Sequence, residues 1–391
     1  MGGNAFTDSG IAIIRIDDHL YSPIASTFQQ VLGEFYLDIL LPPSAPGKPD
    51  HGDIDFLVSD PVAWEGEEEL ENAIGRSLQA RAVFRNNALT SYAVPHPFLP
   101  DVCIQVDTQL CDPAYLSWIY FITSFGDLVP ILGSIHHKFG LIINDKGFWV
   151  QLDPPKHANM CGISRNAMVV FLTIEPKKML EFLGLDDGRY KDGFTCQEQI
   201  FQWVRAGKFF RPISKKSGGT HTFQETELNS SNPGDSSISV NPVGASHANA
   251  NTIPKRRMLT AFADDSYRYP PSPLSKSTPG DVALEAVTFF GKQEEYDAAL
   301  QYCLSEVQEF EFWKQVRSGL PGSSSRKTRV VRSLKKWVIV VNGQPSIGEQ
   351  PVEQSTLAQV GDTGRLERLE WIKEHWEEVY NKEKSVAEQA S

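Results

Sequence analysis

Apolar positions along this chain follow two periods, and the switches between them mark its organisation. Ile11-Ala12-Ile13-Ile14-Arg15-Ile16 is a short β-like run. Phe28, Val31, Leu32, Phe35, Tyr36 and Ile39 then recur at helical spacing and predict a helix over about 22–40. Pro42, Pro43, Pro46 and Pro49 force a loop after it. Beyond the loop, Asp53-Ile54-Asp55-Phe56-Leu57-Val58 alternates acidic and apolar before ending in β-formers, the pattern of a half-buried strand. Residues 65–80 are spaced as a helix, with acids at the start that suit a helix N-terminus. Arg81-Ala82-Val83-Phe84 and Leu89-Thr90-Ser91-Tyr92-Ala93-Val94 flank Arg85-Asn86-Asn87-Ala88 and read as a hairpin. The β-rich run 102–110 is the last expected strand of this core. A helix between strands, then a mostly antiparallel run, predicts a small mixed sheet with helices on one side.

Two apolar helices are expected within 113–139, one ending near Gly126 and one over 128–138. His136-His137-Lys138 reads as the polar end of the second, before Gly140, in preference to a cluster facing the acids. Leu141-Ile142-Ile143 and Phe148-Trp149-Val150-Gln151-Leu152 form a hairpin around Asn144-Asp145-Lys146-Gly147, expected to complete or adjoin the same sheet. From Phe171 the texture turns to short helices. One covers 175–183 and ends at Gly184; another covers 195–206, with Thr195 as N-cap and Glu198 at capping-box spacing. The pair faintly resembles a winged helix, with Lys208, Arg211, Lys215 and Lys216 as its basic surface, though a packing subdomain is the plainer reading.

Residues 214–253 lose apolar periodicity and fill with Ser, Thr, Asn, Gly and His, which predicts a disordered insertion unable to offset chain entropy by burial. The tail is helical over 281–290, 294–317 and 364–384, with a Pro-rich break near 270–280, a basic run over 326–336 and a loop-like stretch over 343–363. The expected division is therefore 1–153, a helical 154–213, the 214–253 insertion and a helical 254–391.

Composition narrows the function. The 391 residues are 41% hydrophobic, enough for a real core, and carry 49 acidic against 37 basic side chains for a net charge of -12. That balance argues against non-specific binding to long nucleic acid, which needs a basic surface. The five cysteines are widely spaced and show no zinc-ligand pattern, so no structural zinc is expected. No run of 18 apolar residues and no leader-like segment is seen, giving an expectation of no membrane association and a cytoplasmic or nuclear address.

The chemistry concentrates at His51-Gly52-Asp53-Ile54-Asp55. Period-2 geometry sets Asp53 and Asp55 on one strand face, roughly 7 Å apart along it. Such carboxylates repel unless solvent or a cation neutralises them, and Mg²⁺ favours one or two carboxylates plus substrate phosphates. Asp107, near the far end of the 102–110 run, completes a three-carboxylate site if the two strands are neighbours.

Gly52-Asp53-Ile54-Asp55-Phe56-Leu57-Val58 followed by Asp107 on a strand resembles the core of the DNA polymerase β-type nucleotidyltransferase superfamily. The resemblance spans about the first 150 residues. It implies an α+β fold with a small mixed nucleotidyltransferase-like sheet, followed by a mainly helical region. It also implies Asp53, Asp55 and Asp107 as ligands of Mg²⁺ or Mn²⁺, Asp107 as catalytic, and Gly52 and Lys48 beside a nucleoside triphosphate. The acceptor is left open among RNA, protein and small molecule. The superfamily's Gly-Ser or Gly-Gly pair, usually about ten residues before the first acid, has no counterpart at that spacing; Gly2-Gly3, followed by Asn4-Ala5, is the comparable pair, far upstream. A catalytically lapsed scaffold and a nucleic-acid-binding or protein-binding adaptor are the alternatives.

Overall fold

Strand pairing brings distant acids onto one surface. The computed structural model describes residues 3–62, 66–153, 161–213, 257–353, 356–359 and 362–389. The chain divides into two compact units, residues 1–151 with 171–292 and residues 152–170 with 293–391. The expected insertion over 214–253 lies outside the described residues, as do Lys215 and Lys216.

The first unit opens with β1 (Ile16–Asp17), α1 (Asp18–Leu32), β2 (Tyr36–Leu40), β3 (Asp50–His51) and β4 (Asp53–Pro61). It continues through α2 (Glu67–Ser77), β5 (Ala82–Asn86), β6 (Leu89–Pro95) and β7 (Cys103–Leu110). Five of these strands form one sheet in the order β2-β4-β7-β6-β5. The β4–β7 pair is parallel and its neighbours are antiparallel, the mixed sheet of an α+β fold. One face carries Ile54, Phe56, Val58, Tyr92, Val94, Ile104 and Val106 against Ile24, Phe28 and Leu32 of α1 and Leu70 and Ile74 of α2. Burying this face is the main stabilisation of the unit, since each large apolar side chain contributes about 1.5–3 kcal/mol. The opposite face carries the acids of β4 and β7 beside a small apolar cluster of Phe6, Ala93 and Cys103.

The expected 22–40 helix is corrected. α1 stops at Leu32, where the Gly33 N–H caps it on Gln29, and Tyr36–Leu40 is an edge strand paired with β4. Phe35, Tyr36 and Ile39 fit a helical stripe and a strand equally, and the unpaired edge of β4 decides between them.

Next come α3 (Pro113–Thr123), capped by the Asp112 carboxylate on the Ala114 N–H, and α4 (Leu128–His136). His136 does not form a polar helix end. It is buried, its Nδ1 lies 2.7 Å from the Leu132 carbonyl, and its ring meets Phe209 edge-on. Burial holds this imidazole well below its usual range, at about 4. His137 and Lys138 are exposed.

β8 (Leu141–Asn144) and β9 (Gly147–Gln151) make the expected hairpin but do not join the large sheet. They form a separate three-stranded sheet, β10-β9-β8, with β10 (Val169–Thr173). Gly147 explains part of that choice: a Cβ there would lie 2.7 Å from the Phe171 ring and 2.9 Å from the Thr173 carbonyl, so only glycine lets the segments approach.

The helices α5 (Pro176–Leu183), α6 (Asp187–Asp192), α7 (Gln197–Arg205), α8 (Arg257–Ser266) and α9 (Pro279–Phe290) follow. Gly184 ends α5 in the left-handed region, as its position predicts. α6 is an element that periodicity did not show. Thr195 is not the N-cap of α7; Cys196 stands there, and the Thr195 N–H and hydroxyl both bond the Gln199 amide oxygen. Lys208 pairs with Glu285 and sits 4.0 Å above the Phe182 ring, while Arg211 lies over Phe139. Of the four residues of the expected basic surface, the two described therefore serve packing.

α8 is capped from far away in sequence: one Asp127 oxygen accepts the Met258 and Leu259 N–H groups at 3.1 and 3.2 Å. Asp127→Ala leaves two helix-terminal donors without a protein acceptor and is expected to cost about 1 kcal/mol in urea unfolding.

The second unit contains α10 (Gln293–Gly319), α11 (Ser324–Trp337), β11 (Val338–Val341), β12 (Gln344–Ile347) and α12 (Asp362–Gln389). Its core includes Phe312, Leu334, Trp337, Ile372, Trp376 and Val379. The stretch expected as loop over 343–363 begins with β12, which pairs antiparallel with β11 across Asn342-Gly343. Both turn residues have positive φ, +52° and +83°, the conformation an Asn-Gly hairpin turn requires. Among the described residues no single helix is long and apolar enough to cross a membrane.

Candidate metal centre

The polar face of the large sheet is organised by the β4–β7 register, which sets Asp53 opposite Gln105 and Asp55 opposite Asp107. Because alternate residues share a face, Asp53, Asp55, Gln105 and Asp107 all project to the side away from the apolar core. One carboxylate oxygen from each acid lies within 4.8 Å of those from the other two. No other such group of three or more His, Cys, Asp or Glu is found among the described residues.

Each acid has a different environment. Asp107 is buried; both its oxygens accept from Gln105 Nε2, at 3.0 and 2.9 Å, and Ser91 also hydrogen-bonds to it. Asp53 accepts the Gly3 N–H at 2.9 Å. Asp55 is the least satisfied of the three: its Oδ1 is buried and has no hydrogen-bond partner among the described residues. Burial raises all three carboxyls above the ordinary range. The negative charges of Asp53 and Asp107 add to this at Asp55, and Asp107 is pushed up to about 7. Lys48 is exposed, yet its charge opposes the upward shift at both Asp53 and Asp55. An orphaned buried oxygen amid three convergent carboxylates fits a hard divalent cation, which favours oxygen donors.

The amino-terminal glycine is close to the acids in space. Gly3 has φ +89°, and a Cβ on it would lie 2.5 Å from the Gly52 carbonyl oxygen. Gly3, far upstream in sequence, thus meets the turn before the first acid in space, and Gly2 lies outside the described residues. The signal available in sequence was the run Ile11 to Ile16 that follows it; Ile14 donates its N–H to the Cys103 carbonyl and so lays this segment along β7. Gly3→Ala combines a forbidden φ with a backbone clash and is expected to cost about 1–3 kcal/mol, measurable as a lower melting temperature.

Sequence reasoning also missed a second layer. His51 is buried, bridges Asp18 (Nε2 to Oδ1, 3.0 Å) and Ser44 (Nδ1 to Oγ, 3.3 Å), and stacks on Tyr21 with ring centroids 3.9 Å apart. The Tyr21 hydroxyl bonds Ser44 and is raised above its ordinary range by burial and then by the Asp55 charge. His51 adjoins Gly52, which is also buried. These contacts fix the turn that leads into the two acids of β4.

No family model and no curated protein matches the chain. Among solved structures it is similar to Leishmania infantum polymerase beta in a ternary gap complex, at 15% identity over 47% of this chain and 71% of that one, with a TM-score of 0.32. The same enzyme in a ternary P/T complex is similar at 15% identity, covering 44% and 74%, with a TM-score of 0.30.

Proposed function

We propose that the chain is a divalent-cation-dependent nucleotidyltransferase that moves a nucleoside monophosphate from a triphosphate to an acceptor hydroxyl. The observation that carries this is the parallel β4–β7 register, which faces Asp55 with Asp107 and sets Asp53 beside them on one polar sheet face. The motif resemblance supplies the reaction class.

In this reading Asp53, Asp55 and Asp107 hold Mg²⁺ or Mn²⁺. When bound, the cation supplies positive charge to the triphosphate and to the departing pyrophosphate. Lys48, exposed beside the acids, adds a cation for phosphate. Gly3 lays bare backbone against Gly52 at the acid turn, where a Cβ on Gly3 would meet the Gly52 carbonyl. Asp107, held by Gln105 and Ser91 on the strand facing the other two acids, is the group placed to take the acceptor's proton.

The test is transfer from each of four labelled nucleoside triphosphates, with Mg²⁺ or Mn²⁺, to RNA, protein and small-molecule acceptor pools. The Asp53→Ala/Asp55→Ala double variant runs beside the wild type. Label transferred by the wild type and lost in the variant is the expected result, and its acceptor names the substrate class. A folded wild type that binds cation yet transfers to no pool favours a lapsed scaffold.

A further inference from the structure

We propose that Gln105 is a positioning residue of the acidic centre, fixing both oxygens of Asp107 and making their placement depend on the backbone of residue 5. This rests on the cation-site part of the proposed function and not on transfer itself.

Gln105 stands two residues before Asp107 on β7, so the two side chains leave the same sheet face, and it lies directly opposite Asp53 in the strand register. It is 3% exposed. Its Nε2 reaches both Asp107 oxygens at 3.0 and 2.9 Å, while its Oε1 accepts the Ala5 N–H at 3.0 Å. The amide is thereby polarised in one sense. Turning it over would set its oxygen against a carboxylate and its NH₂ against a backbone N–H, losing the bonds at both ends.

The far end of this link is itself anchored. Phe6, next to Ala5, is buried with Ala93 and Cys103, and the Gly3 N–H is held by Asp53. A rigid peptide therefore fixes the amide, and the amide fixes the third acid. The choice of a neutral donor has a reason. Lysine or arginine at 105 would neutralise the acids and displace a cation, whereas glutamine orients Asp107 and leaves its charge intact. Groups that orient metal ligands in this way typically change affinity by about 10–100-fold when lost.

The experiment is Mn²⁺ titration of the full chain, followed by the electron paramagnetic resonance of free Mn²⁺, on wild type, Gln105→Met, Ala5→Pro and the double variant. Gln105→Met keeps side-chain length without the donors; Ala5→Pro removes the N–H that the amide accepts, at a residue hydrogen-bonded to none of the acids. Gln105→Met is expected to weaken Mn²⁺ binding by about tenfold. Ala5→Pro should weaken it in the same direction, with no further loss in the double variant, because both act through one link. Unchanged affinity in folded Gln105→Met, or additive losses in the double variant, would overturn the proposal. If Gln105→Met does not fold, unchanged affinity in Ala5→Pro overturns it alone. A wild type that binds no Mn²⁺ removes the cation site and this proposal together; Mn²⁺ binding without transfer leaves the proposal standing and fails only the transferase reading.

Discussion

Asp55→Asn is expected to lower cation-dependent transfer by on the order of 10³-fold, the rate equivalent of several kcal/mol of lost charge stabilisation. The same substitution should raise the melting temperature of the cation-free protein by roughly a few degrees. The two effects have one cause. Asp55 sits with the other two acids, its Oδ1 buried without a hydrogen-bond partner among the described residues, and the charges of Asp53 and Asp107 both act against its ionisation. Asparagine removes a carboxyl that the cation-free fold must keep protonated at a cost to stability, and its NH₂ finds carboxylate acceptors beside it. It also removes the ligand whose unsatisfied oxygen most needs a cation. Melting curves in chelator and a transfer assay in Mn²⁺ on the same preparation check both halves. A fall in both quantities would show that Asp55 is a packing residue of the apo fold and not a cation ligand.

The wild-type protein should lose stability as pH rises in the presence of a chelator, most clearly between about pH 6.5 and pH 8, above the range in which the buried His136 gains stability with rising pH. The folded-state carboxyls of Asp53, Asp55 and Asp107 are all raised, so the folded chain holds protons that the unfolded chain has released. Stability from such groups is fully present below the ordinary carboxylate value and disappears as pH passes the folded value. For Asp107 that window runs from 3.8 to about 7. Saturating Mn²⁺ should flatten the profile, because a cation replaces the protons as the neutralising charge. At a free concentration about a hundred times Kd, binding alone adds about 2.7 kcal/mol. Thermal melts near pH 6.5 and pH 8, each with chelator and with Mn²⁺, give the values needed. A chelated protein more stable at the higher pH than at the lower would contradict the burial of these acids.

The core of this arrangement was legible where a local period carried it. Asp53 and Asp55 alternate with Ile54 and Phe56, so one sheet face had to be acidic and the other apolar, and that is the division found. Asp107 could be placed on a strand, but its facing Asp55 depended on a parallel pairing that periodicity does not encode. Tyr36–Leu40 failed for a related reason: its apolar positions satisfy both periods, and the decision belongs to the edge of β4. Gly3, His51, Tyr21 and Asp18 meet through contacts between separate segments, which leave no spacing to read. The β11–β12 hairpin is a different case. Asn342-Gly343 is a strong turn signal, but the four-residue strands beside it are too short to show a period, and the stretch after it read as loop.

The parallel pairing of β4 and β7 makes this centre tolerant of one class of genetic change and intolerant of another. Six consecutive pairs, from Asp53↔Gln105 to Val58↔Leu110, share one register. Deleting a single codon inside either strand reverses the facing of every residue beyond it, exchanging Asp for Ile or Val on the acidic side and burying a carboxylate in the apolar layer. A point substitution at one of these positions alters one side chain; a frame-preserving deletion rewrites both faces. In a library of single-codon deletions, β4 and β7 should therefore stand out as depleted well beyond what their substitution tolerance foretells, whereas the turn at Asn87-Ala88, outside the paired acids, should accept length changes more readily.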